Sequence, residues 1–180
     1  ARLAPPALAR LAAILYLILA IGSGFGFFVR GRLITTGDAA TTADHIRSSA
    51  GLFRASFVAD LIGTTAFLLT AMALFALLRD VDRYVAGAMV TIVGVSVAIQ
   101  SLNLLNQLTV LSIATGREYA ALGPATRDLE TLIYAERLQD GFFIAQVFFA
   151  AWLVPLGYLV IRSGFLPKVL GVLLNIACAA

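Results

Sequence analysis

The sequence predicts an all-α integral membrane protein, and three observations carry that prediction. Of its 180 residues, 61% are hydrophobic and only 13% charged, where a soluble domain runs at about 45–50% and about 25%. A chain this small cannot hide so large an apolar share in one core, because its surface needs polar cover. The charges gather between long uncharged runs, and crossing about 30 Å of hydrocarbon takes roughly 20 helical residues. Inside lipid an unpaired backbone group costs several kcal/mol, so each run must be helical.

Five runs follow in order. Residues 11–29 are longer than the roughly 7–15 residues of a signal-peptide core and are read as a retained helix. Within it, Gly22 and Gly26 stand four apart, the spacing that lets another helix approach closely. Loop one carries "TTGDAATTADHIRSSAG", where Asp38 is a helix N-cap candidate and a short interfacial helix is expected over 39–49. Residues 55–78 form the second span, broken only by Asp60, and residues 84–112 the third. A turn at Gly123 and Pro124 opens a helix expected to run unbroken into the fourth span, 141–161, which Pro155 should kink. Residues 169–180 look like a fifth span cut short, with Pro167 suited to its first turn. Both chain ends read as trimmed, with a sixth helix expected beyond Ala180. The whole of 1–180 is expected to be a single transmembrane domain.

The charge pattern narrows the function classes. The net charge of +3 comes from scattered residues, with no basic run of the kind that tracks phosphates, so nucleic acid is not an expected partner. Cys178 is the sole cysteine and His45 the sole histidine, which leaves no intrachain disulfide and no two-histidine metal site. No Ser stands in a G-x-S-x-G context, and no metal or other cofactor is expected. Arg2, Arg10, Arg79, Arg83, Arg162 and Lys168 crowd the amino-terminal segment and the short loops, whereas seven arginines spread through the long loops. By density, counted over short loops near helix ends, the amino terminus is placed in the cytoplasm, although the raw count points the other way.

The polar residues inside the spans are not randomly placed. At 100° per residue, Ser96, Gln100, Asn103 and Gln107 fall within about 60° of one another, and Asn106 widens the stripe to about 120°. Leu104, about 100° from Asn103, is assigned to the lipid side. Ser56, Asp60 and Thr64 share a face of the second helix; Glu136, Gln139, Asp140, Phe143 and Gln146 share one of the fourth. Such faces turn inward, either as interhelical glue or as the lining of a ligand cavity. The candidate lining is Asp60, Gln100, Asn103, Asn106, Gln107, Asp140 and Gln146. Arg54, Arg137 and Asp140 are candidates for structural ion pairs, with Arg137 and Asp140 three residues apart; for Asp60, either pairing with an Arg or protonation would reduce the cost of its charge.

Two stretches, "GDAATTADHIRSSAGLFRASFVADLI" and "LGYLVIRSGFLPKVLGVLLNIA", carry a resemblance. The first supplies Gly37, Asp38, Phe53, Arg54 and Asp60; the second Gly157, Tyr158, Arg162, Ser163, Gly164, Leu166 and Pro167. They resemble the bacterial membrane-protein family filed as domain of unknown function 4386, although His45 stands where an Asn commonly does. The resemblance implies about six membrane helices in a bacterial cytoplasmic membrane, and no activity. The expected function is non-catalytic: a binder of lipid or of a small apolar molecule within the bundle, or an accessory subunit of a larger membrane assembly. A small transporter or proton-coupled carrier using Asp60, Asp140 and the amide stripe is the alternative, and a membrane-embedded enzyme the third. Membrane lipids are the expected partners, with other membrane subunits or a second copy of the chain also open.

Overall fold

A computed structural model describes residues 5–164 and 167–179, and every regular element among them is helical. In order these are α1 (Pro5–Leu33), α2 (Ala39–Ser48), α3 (Ala50–Leu78), α4 (Arg83–Thr115), a 3-10 turn (Arg117–Tyr119), α5 (Pro124–Ala151), α6 (Leu153–Ser163) and α7 (Lys168–Ala179). Four stretches are long and apolar enough to cross a membrane: Pro6–Leu33, Ala50–Leu78, Arg83–Thr115 and Pro124–Ser163. The protein is a helical membrane protein. With 12 residues, α7 is shorter than the roughly 20 a span needs, so four of the five expected helices have spanning length among the described residues. Arg2, Leu166 and Ala180 lie outside the described residues.

Local chemistry sets most element boundaries. The first helix outruns its uncharged stretch because Arg30 and Arg32 occupy its last turn, where cations meet the negative end of the helix dipole. Asp38 caps α2 as expected: its carboxylate accepts from the Thr41 backbone N–H at 3.0 Å. Helix α5 starts at Pro124 and runs unbroken into the apolar stretch as far as Ala151. The interruption falls at Trp152, because Pro155 has no N–H to offer the carbonyl of Ala151. Gly164, at φ 72°, adopts the left-handed conformation that ends α6.

The described residues divide into two compact units. One comprises the described parts of Ala1–Ile18, Thr65–Ile99 and Ile144–Ala180. Its centre is aromatic: Phe67 meets Trp152 edge-on at 5.1 Å and Phe149 at 5.0 Å between ring centroids. There α6 packs closely on α7, since a Cβ on Gly171 would sit 2.7 Å from the carbonyl oxygen of Gly157.

The other unit comprises Leu19–Thr64 and Gln100–Phe143. Val29, Leu33, Ile46, Phe53, Val110 and Leu138 belong to its core, so α2 is packed by Ile46. Arg127 donates to the carbonyls of Ile113 (2.9 Å), Ala114 (3.2 Å) and Gly116 (3.3 Å), and Arg47 to that of Ala114 at 3.3 Å. Two guanidinium groups thus satisfy the orphan carbonyls at the end of α4. Arg47 also pairs with Asp128 and with Asp44. Burial works against its charge, but these two carboxylates outweigh that and hold its pKa above the usual arginine value. The opposite surfaces of these helices carry large exposed apolar side chains, such as Phe27, Phe28, Leu102 and Leu105.

Candidate functional site

The site grows from one face of α1, within the second unit. Gly22, Gly26 and Arg30 are spaced four apart and therefore stand above one another on the helix. A Cβ on Gly22 would lie 2.6 Å from the carbonyl oxygen of Ala59, and one on Gly26 would overlap the Asp60 carboxylate. The pair thus brings α1 against α3, as its spacing predicts, and Gly26 also leaves the notch that the carboxylate fills. One turn on, Arg30 donates from Nη1 to Asp60 Oδ2. Both residues are almost inaccessible, at 4% and 2% exposure. In so dry a setting each charge requires the other, because removing one partner of a buried pair costs about 3–5 kcal/mol. The Arg30 guanidinium also lies 5.6 Å from the centroid of the Phe142 ring, within cation–π range. Its Nη2 is buried and has no partner among the described residues.

The amides of α4 are joined to this unit by hydrogen bonds. Asn103 Nδ2 donates to the Leu138 carbonyl at 2.8 Å, and Asn103 Oδ1 accepts from Asn106 at 3.0 Å. Gly141 is what admits the Asn103 side chain, since a Cβ there would overlap it. Gln107 Nε2 donates to Ser56 Oγ at 2.9 Å, and Ser56 in turn donates to the Phe53 carbonyl at 2.8 Å. Asn103 and Gln107 are buried, Asn106 and Gln100 half-buried, and the Oε1 atoms of Gln100 and Gln107 have no partner among the described residues.

Several expected roles are corrected. Asp60 has Arg30, thirty residues earlier, as its partner, and Arg54, a candidate for an ion pair, is exposed and forms none among the described residues. Arg137 stacks at 5.4 Å on the Tyr134 ring and forms no ion pair with Asp140, which is exposed. Leu104 is buried at 2% exposure, while Leu102 and Leu105 are 68% and 58% exposed. The buried arc of α4 is therefore centred between Asn103 and Leu104, and Asn106 sits on its edge rather than within it. Gln146 is half-buried and belongs to the other unit.

Beside the ion pair opens a cavity of about 480 Å³, lined by Arg30, Gly31, Ile34, Thr36, Glu136, Gln139 and Asp140. Glu136 and Asp140 are one helical turn apart on α5, and Glu136 Oε1 accepts from the Gly37 backbone N–H at 3.4 Å. The wall thus combines one guanidinium, two carboxylates and two uncharged polar side chains with the apolar surface of Gly31 and Ile34. The polar stripes of the sequence do not single out Arg30 or Gly141 as site residues, and they place Glu136 on a polar helix face without marking it as part of the lining. A signal for Arg30 lay in the sequence: it continues the Gly22–Gly26 spacing, so an acid facing Gly26 meets it one turn later.

No curated protein and no solved structure matches the chain. The family described as "Domain of unknown function (DUF4386)" matches residues 11–180. With nearly its whole length covered, the chain belongs to that family.

Proposed function

We propose that the protein is a non-catalytic membrane protein that binds a lipid by its headgroup in the cavity beside Arg30. The observation that carries this is the cavity wall itself: Arg30, whose buried Nη2 has no partner among the described residues, lines it together with Thr36, Glu136, Gln139 and Asp140. Such a wall suits an amphiphile's head and not a wholly apolar molecule. Next to it lies apolar surface on which acyl chains can rest. Phe142 touches Arg30, its ring centroid is 6.3 Å from that of Phe27, and Phe27 and Phe143 are 60% and 59% exposed. Against transport stand the bonds of the amide stripe, since Asn103 and Gln107 each donate to buried partners of α5 and α3 rather than facing a wet path. In this proposal the protein resides in a bacterial cytoplasmic membrane with its amino terminus in the cytoplasm.

Gly31 provides the test. A Cβ added there meets nothing within 4 Å, so a side chain can start from this point of the cavity wall, and Gly31→Leu is expected to obstruct the cavity. Native mass spectrometry of the purified protein should show retained phospholipid, and Gly31→Leu should lose it. Equal retention by both proteins would remove the cavity from the account.

A further inference from the structure

We infer that the lipid is an aminophospholipid, recognised by a phosphate and a primary ammonium group at once. This rests on the headgroup-binding function proposed above and follows from the charges around the cavity. Arg30 is already offset by Asp60, and Glu136 and Asp140 add two carboxylates that form no ion pair among the described residues. A headgroup carrying only negative charge meets a wall whose net charge is already negative. A headgroup that is only cationic leaves Arg30 Nη2, buried and without a partner among the described residues, still lacking an acceptor.

A zwitterion answers both needs. A phosphate oxygen accepts from the guanidinium, which has five N–H donors, of which Asp60 engages one group at Nη1. The ammonium supplies three donors to Glu136 and Asp140, which stand on one face of α5. A trimethylammonium carries the same charge but donates nothing, so the carboxylates distinguish ethanolamine from choline as well as from glycerol. Thr36 and Gln139 supply further polar contacts at the wall. The same chemistry exists in a soluble phosphoethanolamine. The exposed Phe27 and Phe143 favour the lipid, because a soluble molecule has no use for them.

The experiment titrates the detergent-purified full chain with phosphatidylethanolamine, phosphatidylglycerol and phosphatidylcholine of identical acyl chains, and with soluble phosphoethanolamine. Binding is read by native mass spectrometry and by the rise in Tm. The ethanolamine lipid should bind at least about tenfold more tightly than the other two, a difference of about 1.4 kcal/mol, and also more tightly than the soluble compound. The double variant Glu136→Gln, Asp140→Asn should erase that preference while still binding lipid, and Gly31→Leu, checked for an unimpaired Tm without lipid, should bind none. Equal affinity for the three lipids, or a preference that survives the double variant, overturns the ethanolamine assignment and leaves headgroup binding standing. Soluble phosphoethanolamine binding as tightly as the lipid overturns the lipid as source. Absence of binding by the unaltered protein, or binding untouched by Gly31→Leu, overturns the headgroup site together with this inference.

Discussion

Asp60 is the residue on which the chemistry of the second unit turns. A carboxylate deep in an apolar helix is stable there only because Gly26 leaves room for it and Arg30 supplies the countercharge. We predict that Asp60→Asn destabilises the protein by about 3–5 kcal/mol, because it strands a buried guanidinium. The double variant Arg30→Met, Asp60→Leu should recover much of that loss, since an apolar pair leaves no charge unpaired. Chemical denaturation in one detergent compares the two, and a double variant as unstable as Asp60→Asn would contradict the pairing. Asn103 is held in the same manner with neutral groups. Asn103→Leu removes a bond to Leu138 and leaves Asn106 without its acceptor, for an expected cost of about 1–3 kcal/mol.

At the scale of the element, the glycines separate into two kinds. Gly26 and Gly141 stand where another residue's polar side chain needs the space, whereas Gly31 stands at the open cavity. One substitution should therefore act in opposite directions. Gly26→Ala and Gly141→Ala are expected to cost about 1–3 kcal/mol through overlap, while Gly31→Ala should stabilise by up to about 1 kcal/mol through helix propensity. Thermal denaturation of the three variants decides it, and three changes of one sign would contradict the packing described. The cap of α2 offers a separate test. Hydrogen bonds from the Thr41 backbone N–H and hydroxyl hold the Asp38 carboxyl below the usual aspartate range. A lowered folded-state value means that the unfolded chain takes up the proton more readily, so the cap is fully effective above the ordinary value and fails as pH falls through the lowered one. Amide exchange in α2, corrected for its intrinsic pH dependence, should quicken in that acidic window. Asp38→Ala should show the quickened exchange already at neutral pH and no further response to acid.

Sequence patterns carried the elements further than they carried the partnerships between them. The N-cap at Asp38, the glycine pair of α1 and the continuous α5 were legible because each depends on residues a few positions apart. The Arg30–Asp60 pair was not, because two helices thirty residues apart in sequence meet in a register that periodicity does not set. The same limit explains Leu104: amide spacing marks a polar stripe, but the buried arc is wider and centred by neighbouring helices.

At the scale of the whole molecule, the central matter is which side of each span faces which compartment and what fills the cavity. Arg47 of α2 bonds to Ala114 and Asp128, so loop one and the segment after α4 lie together. Cysteines at Ser48 and Gly123 should therefore label from one membrane side and a cysteine at Asp80 from the other. Labelling of all three from one side would contradict four spanning helices. The most direct measurement is an experimental structure of the full chain in a bilayer disc of the host's own lipids. It should place a phosphate against Arg30 and an amine between Glu136 and Asp140, with acyl chains along Phe27 and Phe143. A cavity holding only water, with ordered lipid confined to the Leu102 and Leu105 surface, would contradict it.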